Sequence, residues 1–246
     1  ELHTLSRAFQ DMAESLASTD EARTQLLSDL SHEIRTPLAT LEAHIDGMED
    51  GVVPPSAANF EVMRAEVHRL RRLASDVRLA AQAQEHALDL HLTPVAVRDL
   101  MEAACALFQA RYRDKGIQLR NTCEHPGHVV TVDPDRMQQV LGNLLDNALR
   151  HTAPGGRVEI GCLQRGTVTE ITVTDTGEGL AEGDLERIFN RFQRLDDARL
   201  SDTAGSGLGL TIARALVQNQ RGDLTASSRG PGAGSTFTIR LPSQPG

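Results

Sequence analysis

Between Leu27 and Val77, apolar residues recur every three or four positions in two runs that are broken once, at Gly51-Val52-Val53-Pro54-Pro55. Leu27, Ile34, Leu38, Leu41, Ile45 and Met48 form the first stripe; Phe60, Met63, Val67, Leu70, Ala74 and Val77 form the second. That spacing puts each set on one face of an α-helix, and the glycine and paired prolines between them read as a turn. The prediction is an antiparallel helical hairpin over residues 21–86. Two helices with one stripe each enclose little core, so the hairpin is expected to form a homodimer, pairing two copies in a four-helix bundle. Upstream, Leu2, Leu5, Phe9, Met12 and Leu16 step like the seam of a coiled coil, predicting a signalling helix over residues 1–20 that needs a partner helix.

After Ala80 to Asp89 the pattern changes to short strands alternating with helices, so a second domain is predicted over residues 87–246. Strands are expected at 88–92, 117–122, 129–132, 157–163, 168–175, 223–228 and 235–241, with helices at 97–115, 134–152 and 208–219. Mixed helices and hairpins indicate an α/β sandwich rather than a doubly wound parallel sheet. The fold class is therefore multidomain, an all-α hairpin plus an α/β sandwich, as a length of 246 residues allows.

A formal net charge of -9 and 3% aromatic residues argue against nucleic acid, which is held by clustered Lys and Arg, often with stacking rings. Cys105, Cys123 and Cys162 are odd in number and lack paired spacing, which suits a reducing, cytoplasmic compartment better than a disulfide scaffold. "CEHPGH", with Cys123, His125 and His128, lacks the second ligand pair of a zinc site and reads as a loop. No window approaches the ~20 apolar residues needed to span a bilayer, and nothing resembles a signal peptide. Because the chain begins at Glu1, it is expected to be a piece of a longer protein with membrane segments upstream.

Within the first helix, His32 lies about 160° from Ile34 on a helical wheel, so the imidazole faces water when the stripe faces inward. Thr36 lies about 40° from His32, with Glu33 adjacent, close enough for its carboxylate to approach the ring. One residue on, Pro37 removes the hydrogen bond to the Glu33 carbonyl and crowds that carbonyl, at ~3 kcal/mol for a helix interior. "SHEIRTPL", with its H-E-x-x-T-P core intact, resembles the H-box of the sensor histidine kinases of two-component systems. The resemblance implies that His32 accepts the γ-phosphoryl of ATP and passes it to an aspartate on the receiver domain of a response regulator. A neutral imidazole is nucleophilic near its ordinary pKa of ~6.5, and a carboxylate on one ring nitrogen leaves the other to attack. Glu33 is the candidate carboxylate. Thr36 matches the position that helps orient water when the family dephosphorylates its regulators.

In "QVLGNLLDNALRHT", Leu144, Leu145, Ala148 and Leu149 cover one arc of a helix and Asn143, Asn147 and Arg150 the opposite side. Two asparagines at i and i+4 are poor helix formers, and their amide oxygens suit Mg²⁺ shared with nucleotide phosphates, which Arg150 would neutralise. The segment resembles the family's N-box, with Arg150 and His151 standing where lysine and an aromatic are more usual. On "TEITVTD", Ile171, Val173 and Asp175 share one face of a strand, so a carboxylate ends an apolar row before a turn containing Gly177 and Gly179. This resembles the G1 box, whose aspartate accepts a hydrogen bond from the adenine amino group; Asp175 takes that position.

"GSGLGL", with Gly205, Gly207, Leu208 and Gly209, opens a helix whose N-terminal N–H groups suit phosphate, and resembles the G2 box. It is neither G-x-G-x-x-G after a strand nor a lysine-bearing P-loop. "IFNRFQR" resembles the F-box, with Phe189 and Phe192 as lid anchors, Arg191 and Arg194 as phosphate contacts, and 195–204 as a mobile lid. The order H, N, G1, F, G2 across residues 27–241 identifies the chain as resembling a histidine kinase core. Its ATP-binding domain would have the Bergerat, or GHKL-type, fold shared with gyrase, Hsp90 and MutL, with ATP and Mg²⁺ as cofactors. "ELHTLSRAFQDMAESL" is similar to the closing helix of a HAMP relay. The rival readings are a GHKL-type ATPase clamp without a phosphohistidine and a catalytically silent scaffold.

Overall fold

A computed structural model describes residues 28, 30–84, 89–123, 127–190 and 207–243. The coiled-coil prediction for 1–20 and the lid prediction for 195–204 lie outside the described residues. Two compact units divide the chain, Glu1–Ser75 and Asp76–Gly246.

In the first unit, helix α1 (residues 30–49) continues through Pro37, whose ring is buried. It closes where Gly51 takes a left-handed φ of 73° and donates to the Met48 carbonyl at 3.2 Å. Helix α2 (Ala57–Gln84) begins with Ser56 as its cap, the Ser56 hydroxyl accepting from the Asn59 N–H at 3.3 Å. Across the hairpin, Arg69 meets the Glu33 carboxylate at 3.5 Å, a pairing not anticipated from the sequence. The stripes are not closed within one copy: Ile34, Leu38, Ile45, Phe60 and Val67 are 38–45% exposed.

In the second unit, β1 (Thr93–Ala96) runs directly into α3 (Val97–Asp114), followed by β2 (Gln118–Asn121), β3 (Val129–Val132), α4 (Pro134–His151), β4 (Arg157–Arg165) and β5 (Val168–Asp175). Two 3₁₀ turns, Glu182–Asp184 and Arg187–Phe189, precede α5 (Gly209–Asn219), β6 (Asp223–Ser228) and β7 (Ser235–Pro242). A five-stranded sheet has the order β2-β4-β5-β7-β6, with only the β2-β4 pair parallel; β1 and β3 form a separate antiparallel pair. One sheet face presents Val158, Ile160, Ile171, Val173, Leu224, Phe237 and Ile239, all essentially inaccessible. The helical layer supplies Met101, Met137, Leu141, Leu144, Leu145, Ile212 and Leu216, also fully buried. Each such side chain contributes roughly 1.5–3 kcal/mol of transfer free energy.

The strand expected at 88–92 is a correction: residues 89–92 have no regular structure and the strand lies at Thr93–Ala96. The alternation in "LDLHL" imitates a strand, whereas the pairing partner, β3, reaches only Thr93; Pro94 is tolerated because the ribbon has just two strands. A buried polar staple holds this entry. The Asp133 carboxylate caps α4 by accepting from Arg136 N–H at 3.0 Å and also accepts from His91 N–H at 3.0 Å. Asp133 N–H in turn donates to the Gln220 side chain at 2.7 Å.

The cysteine expectation is also corrected: Cys123 and Cys162 form a disulfide, their Cα atoms 4.9 Å apart, within the span such a bond bridges. The parallel register pairs Asn121 with Ile160, and two more residues along each strand bring Cys123 opposite Cys162. Only Cys105 is a free thiol, half-buried on α3.

Candidate functional site

On α1 the outward face carries His32, exposed as predicted, with Thr36 exposed one turn later. Its hydroxyls turn back to the helix: Thr36 donates to the His32 carbonyl at 3.4 Å and Thr40 to the Thr36 carbonyl at 3.2 Å. His44 Nδ1 lies 2.9 Å from the Thr40 carbonyl. His32, Arg35, Thr36, Ala39, Thr40 and His44 line an open depression of about 590 Å³. An imidazole in this position is reachable from solvent and carries no packing duty.

In the second unit, α4 divides as its sequence implies. Leu144, Leu145, Ala148 and Leu149 are buried, Asn143 and Asn147 half-buried, and Arg150 exposed. Asn143 Nδ2 donates to the Gly209 carbonyl at 2.9 Å, tying α4 to the start of α5. Sequence reasoning missed the acid between two bases: Asp146 accepts from Arg150 and from Arg111, each at 2.7 Å. It also missed Lys115, whose ammonium donates to the Leu149 and Arg150 carbonyls at 2.6 and 3.0 Å and neutralises the α4 C-terminus. Arg150 is thus oriented by Asp146.

Asp175 ends the apolar row on β5 and is 5% exposed. Burial pushes its carboxyl above the usual range, opposed by backbone N–H donors from Gly177 at 2.8 Å and Ser235 at 3.2 Å. Both bonds end on Oδ1. The turn that follows needs glycine for contact reasons. A Cβ on Gly177 would come within 2.3 Å of the His151 carbonyl, and one on Gly179, whose φ is 68°, within 2.2 Å of the Gly230 carbonyl. His151 faces the same turn, its Nδ1 3.1 Å from the Glu178 carboxylate and its carbonyl accepting from Glu178 N–H at 3.2 Å. The segment 228–235 closes over the turn: Gly234 N–H donates to the Gly177 carbonyl at 3.1 Å, and the Ser228 hydroxyl accepts from Leu180 N–H at 3.1 Å. Its dense "RGPGAGS" composition was the available signal.

Phe189 is buried against Phe237 edge to face at 6.4 Å, with the Arg214 guanidinium 4.7 Å above its ring. Thr211 donates to the Phe189 carbonyl at 2.8 Å, joining this anchor to α5. Helix α5 starts at Gly209 without a side-chain cap, preceded by buried Leu208 and by Gly207 at a φ of 66°. Among the described residues no side chain caps its first N–H groups, the end of a helix that suits an anion. Arg191, Phe192, Arg194 and Gly205 lie outside the described residues.

The two units are thus a helical hairpin that presents a solvent-facing histidine and an α/β sandwich whose buried acid precedes a glycine-containing turn. Residues 22–86 match the His Kinase A (phospho-acceptor) domain, and residues 132–245 the histidine kinase-, DNA gyrase B-, and HSP90-like ATPase domain. The chain is similar to the signal transduction histidine-protein kinase BaeS of Escherichia coli K12, 32% identical over 98% of this chain and 51% of that protein. It thus spans about half the length of that curated relative. Among solved structures, the Acinetobacter baumannii histidine kinase AdeS superposes with a TM-score of 0.74 at 25% identity, covering 87% of this chain and 98% of that one. ShkA, solved full-length in complex with AMPPNP, superposes with a TM-score of 0.67 at 26% identity, covering 90% of this chain and 46% of that one. The chain belongs to the sensor histidine kinase family, with a HisKA hairpin and a GHKL-type ATPase domain.

Proposed function

We propose that this chain is the cytoplasmic core of a sensor histidine kinase that phosphorylates His32 from Mg-ATP and passes the phosphoryl group to an aspartate of a response regulator receiver domain. The observation that carries the reading is the exposed His32 beside Glu33 and Thr36 on a hairpin whose seam is open. The working form is a homodimer that closes this seam. Its parts are a signalling helix at 1–20, the hairpin at 21–86 and the ATP-binding domain at 87–246, with an anchor in the membrane upstream. No helix among the described residues is long and apolar enough to cross a membrane.

Asp175 Oδ2 accepts from the adenine amino group, in a turn that Gly177 and Gly179 keep open to a flat ring, with His151 at its rim. The N–H groups at Gly207, Leu208 and Gly209, joined by Gly205, Arg150, Arg191 and Arg194, neutralise the phosphates. The amide oxygens of Asn143 and Asn147 are hard donors one turn apart and would hold Mg²⁺, which when bound would supply charge neutralisation to the phosphates. The nucleotide held by ShkA supports the same use of the sandwich here. One ring nitrogen of His32 then attacks the γ-phosphorus, the bond to the β,γ-bridging oxygen breaks, and ADP leaves with that electron pair. Glu33 holds the proton on the other ring nitrogen. Glu33 pairs with Arg69 across the hairpin at 3.5 Å, so holding the imidazole proton means exchanging that partner. Thr36 orients water for phosphatase action on the regulator.

Incubation with γ-labelled ATP and Mg²⁺ tests the reading. The parent chain should take up acid-labile, base-stable label, and His32→Gln and Asn147→Ala should not. Equal labelling of His32→Gln, or ATP hydrolysis without a phosphohistidine, would remove the assignment.

A further inference from the structure

The Cys123–Cys162 disulfide lies outside the nucleotide site and the hairpin, and the proposed function does not use it. It ties the end of the edge strand β2 to β4 two residues beyond the last ladder pair. Both cysteines are partly exposed, as is His128, whose Nδ1 lies 3.8 Å from Cys162 Sγ. A structural staple of a secreted domain has no need of an imidazole against one sulfur. In a cytoplasm, where thiols are kept reduced, a disulfide is a reversible state. In that one respect the inference rests on the functional reading above.

We propose that Cys123 and Cys162 are a reversible thiol–disulfide modification site, exchanging with low-molecular-weight thiols and setting how firmly β2 is held to the sheet. An incoming thiolate attacks Cys123 Sγ, a mixed disulfide forms there, and the Cys123–Cys162 bond breaks. Cys162 is the leaving group because His128 Nδ1 lies 3.8 Å from its sulfur, where a ring N–H can hydrogen-bond the departing thiolate. A second thiol then attacks the mixed disulfide. The products are two cysteine thiols and one external disulfide, with two electrons delivered to the protein. Oxidation by the external disulfide is the reverse.

β2 carries the effect toward the nucleotide site. Beyond its ladder, Thr122 N–H donates to the Ile160 carbonyl at 2.8 Å at the disulfide end. At its start, Gln118 N–H donates to the Gly156 carbonyl at 3.0 Å, and the Gly116 carbonyl accepts from Gly155 N–H at 2.8 Å. The loop so held passes to Arg157, whose N–H donates to the Thr176 hydroxyl at 2.9 Å, next to Asp175. A β2 released at one end loosens its hold on this loop at the other.

The test uses the purified chain equilibrated in glutathione buffers of graded ratio, acid-quenched, alkylated and weighed. The expected result is that two thiols appear together as the buffer becomes reducing while Cys105 is unaffected, and that a trapped mixed disulfide maps to Cys123. The oxidised form should melt on the order of 5–10 °C above the reduced form, from a bond closing a 39-residue separation. It should bind AMPPNP several-fold more tightly. Cys123→Ser and Cys162→Ser should each match the reduced protein and lose redox dependence; His128→Asn should keep the bond and open it about tenfold more slowly. Cys123 and Cys162 both free in every buffer, a bond that no glutathione ratio opens, or identical melting and AMPPNP binding in both forms would each overturn the proposal. Thiol counting and melting need no phosphoryl transfer, so loss of His32 labelling would sink the kinase reading alone.

Discussion

Replacing Asp175 by Asn keeps the shape of the carboxyl group and changes one donor–acceptor polarity. Oδ1 must remain an oxygen, because it accepts from Gly177 and Ser235 N–H groups at 2.8 and 3.2 Å. The amide nitrogen therefore takes the Oδ2 position and points a donor at the adenine amino group, itself a donor. One hydrogen bond is lost and one buried donor is left unpaired, about 1–3 kcal/mol for each, or roughly 30- to 25,000-fold in ATP affinity. The fold should tolerate the change, since the bonds to Gly177 and Ser235 survive and the buried charge is relieved. A base with a carbonyl at that position matches the new donor, so GTP should lose less affinity than ATP or gain some. Calorimetric titration of both variants with both nucleotides reads this directly. ATP affinity within threefold of the parent, with no change in the ATP-to-GTP ratio, would refute the adenine assignment. The pH dependence has a fixed sign: burial raises the folded pKa, so the folded state holds a proton that the unfolded state has already released. The parent's stability relative to Asp175→Asn should therefore be greatest below the ordinary carboxyl pKa, fall as pH climbs through the raised folded value, and stay level above it.

Arg221 adopts a left-handed φ of 62° just past α5; Arg221→Gly should stabilise the sandwich by about 0.5–1 kcal/mol in urea titration, because glycine meets no Cβ penalty there. Tyr112 donates from a fully buried hydroxyl to the Leu145 carbonyl at 2.7 Å, so Tyr112→Phe should cost about 1–3 kcal/mol in the same assay through the orphaned carbonyl. Gly177→Ala forces a methyl to within 2.3 Å of the His151 carbonyl and should lower the melting temperature and abolish AMPPNP binding together. The hairpin seam exposes Ile34, Leu38, Ile45, Phe60 and Val67; its melting should rise with protein concentration while that of the sandwich does not, measured by circular dichroism over a hundredfold dilution series.

Features that act within one helical turn or one strand were legible. The 3.6-residue stripes located both hairpin helices, and the alternation in "TEITVTD" put Asp175 on the buried face where it is found. What escaped depends on register and on partners far along the chain. The disulfide joins residues 39 apart through the β2-β4 pairing, and Arg111 reaches Asp146 from 35 residues away. The buried Asp133–Gln220 bond spans 87 residues and follows from how α5 ends beside the start of α4. The strand at 88–92 was misplaced because alternation is a property of one strand alone, whereas a strand exists only where a neighbour pairs with it. Glu33 was read for its nearness to His32; its approach to Arg69 required the second helix.

The residues that best marked the site are those at which local propensity and global fold disagree. Pro37 sits inside a helix, Asn143 and Asn147 occupy an interior where leucine or glutamate would be better formers, and Asp175 carries a burial-disfavoured carboxylate at the end of an apolar row. Other residues would suit local propensity better at each, although Asn143 also ties α4 to the Gly209 carbonyl and Asp175 also holds the Gly177 and Ser235 N–H groups. The same test separates Arg150 from Asp175. Arg150 is exposed and already balanced by Asp146, so its presence is explained without a ligand. Among the described residues Asp175 has two backbone donors, both on one oxygen, and the nearby His151 to offset its desolvation. A ligand donor at Oδ2 would complete that environment, which is why Asp175 rather than Arg150 makes the sharper target for testing the nucleotide site.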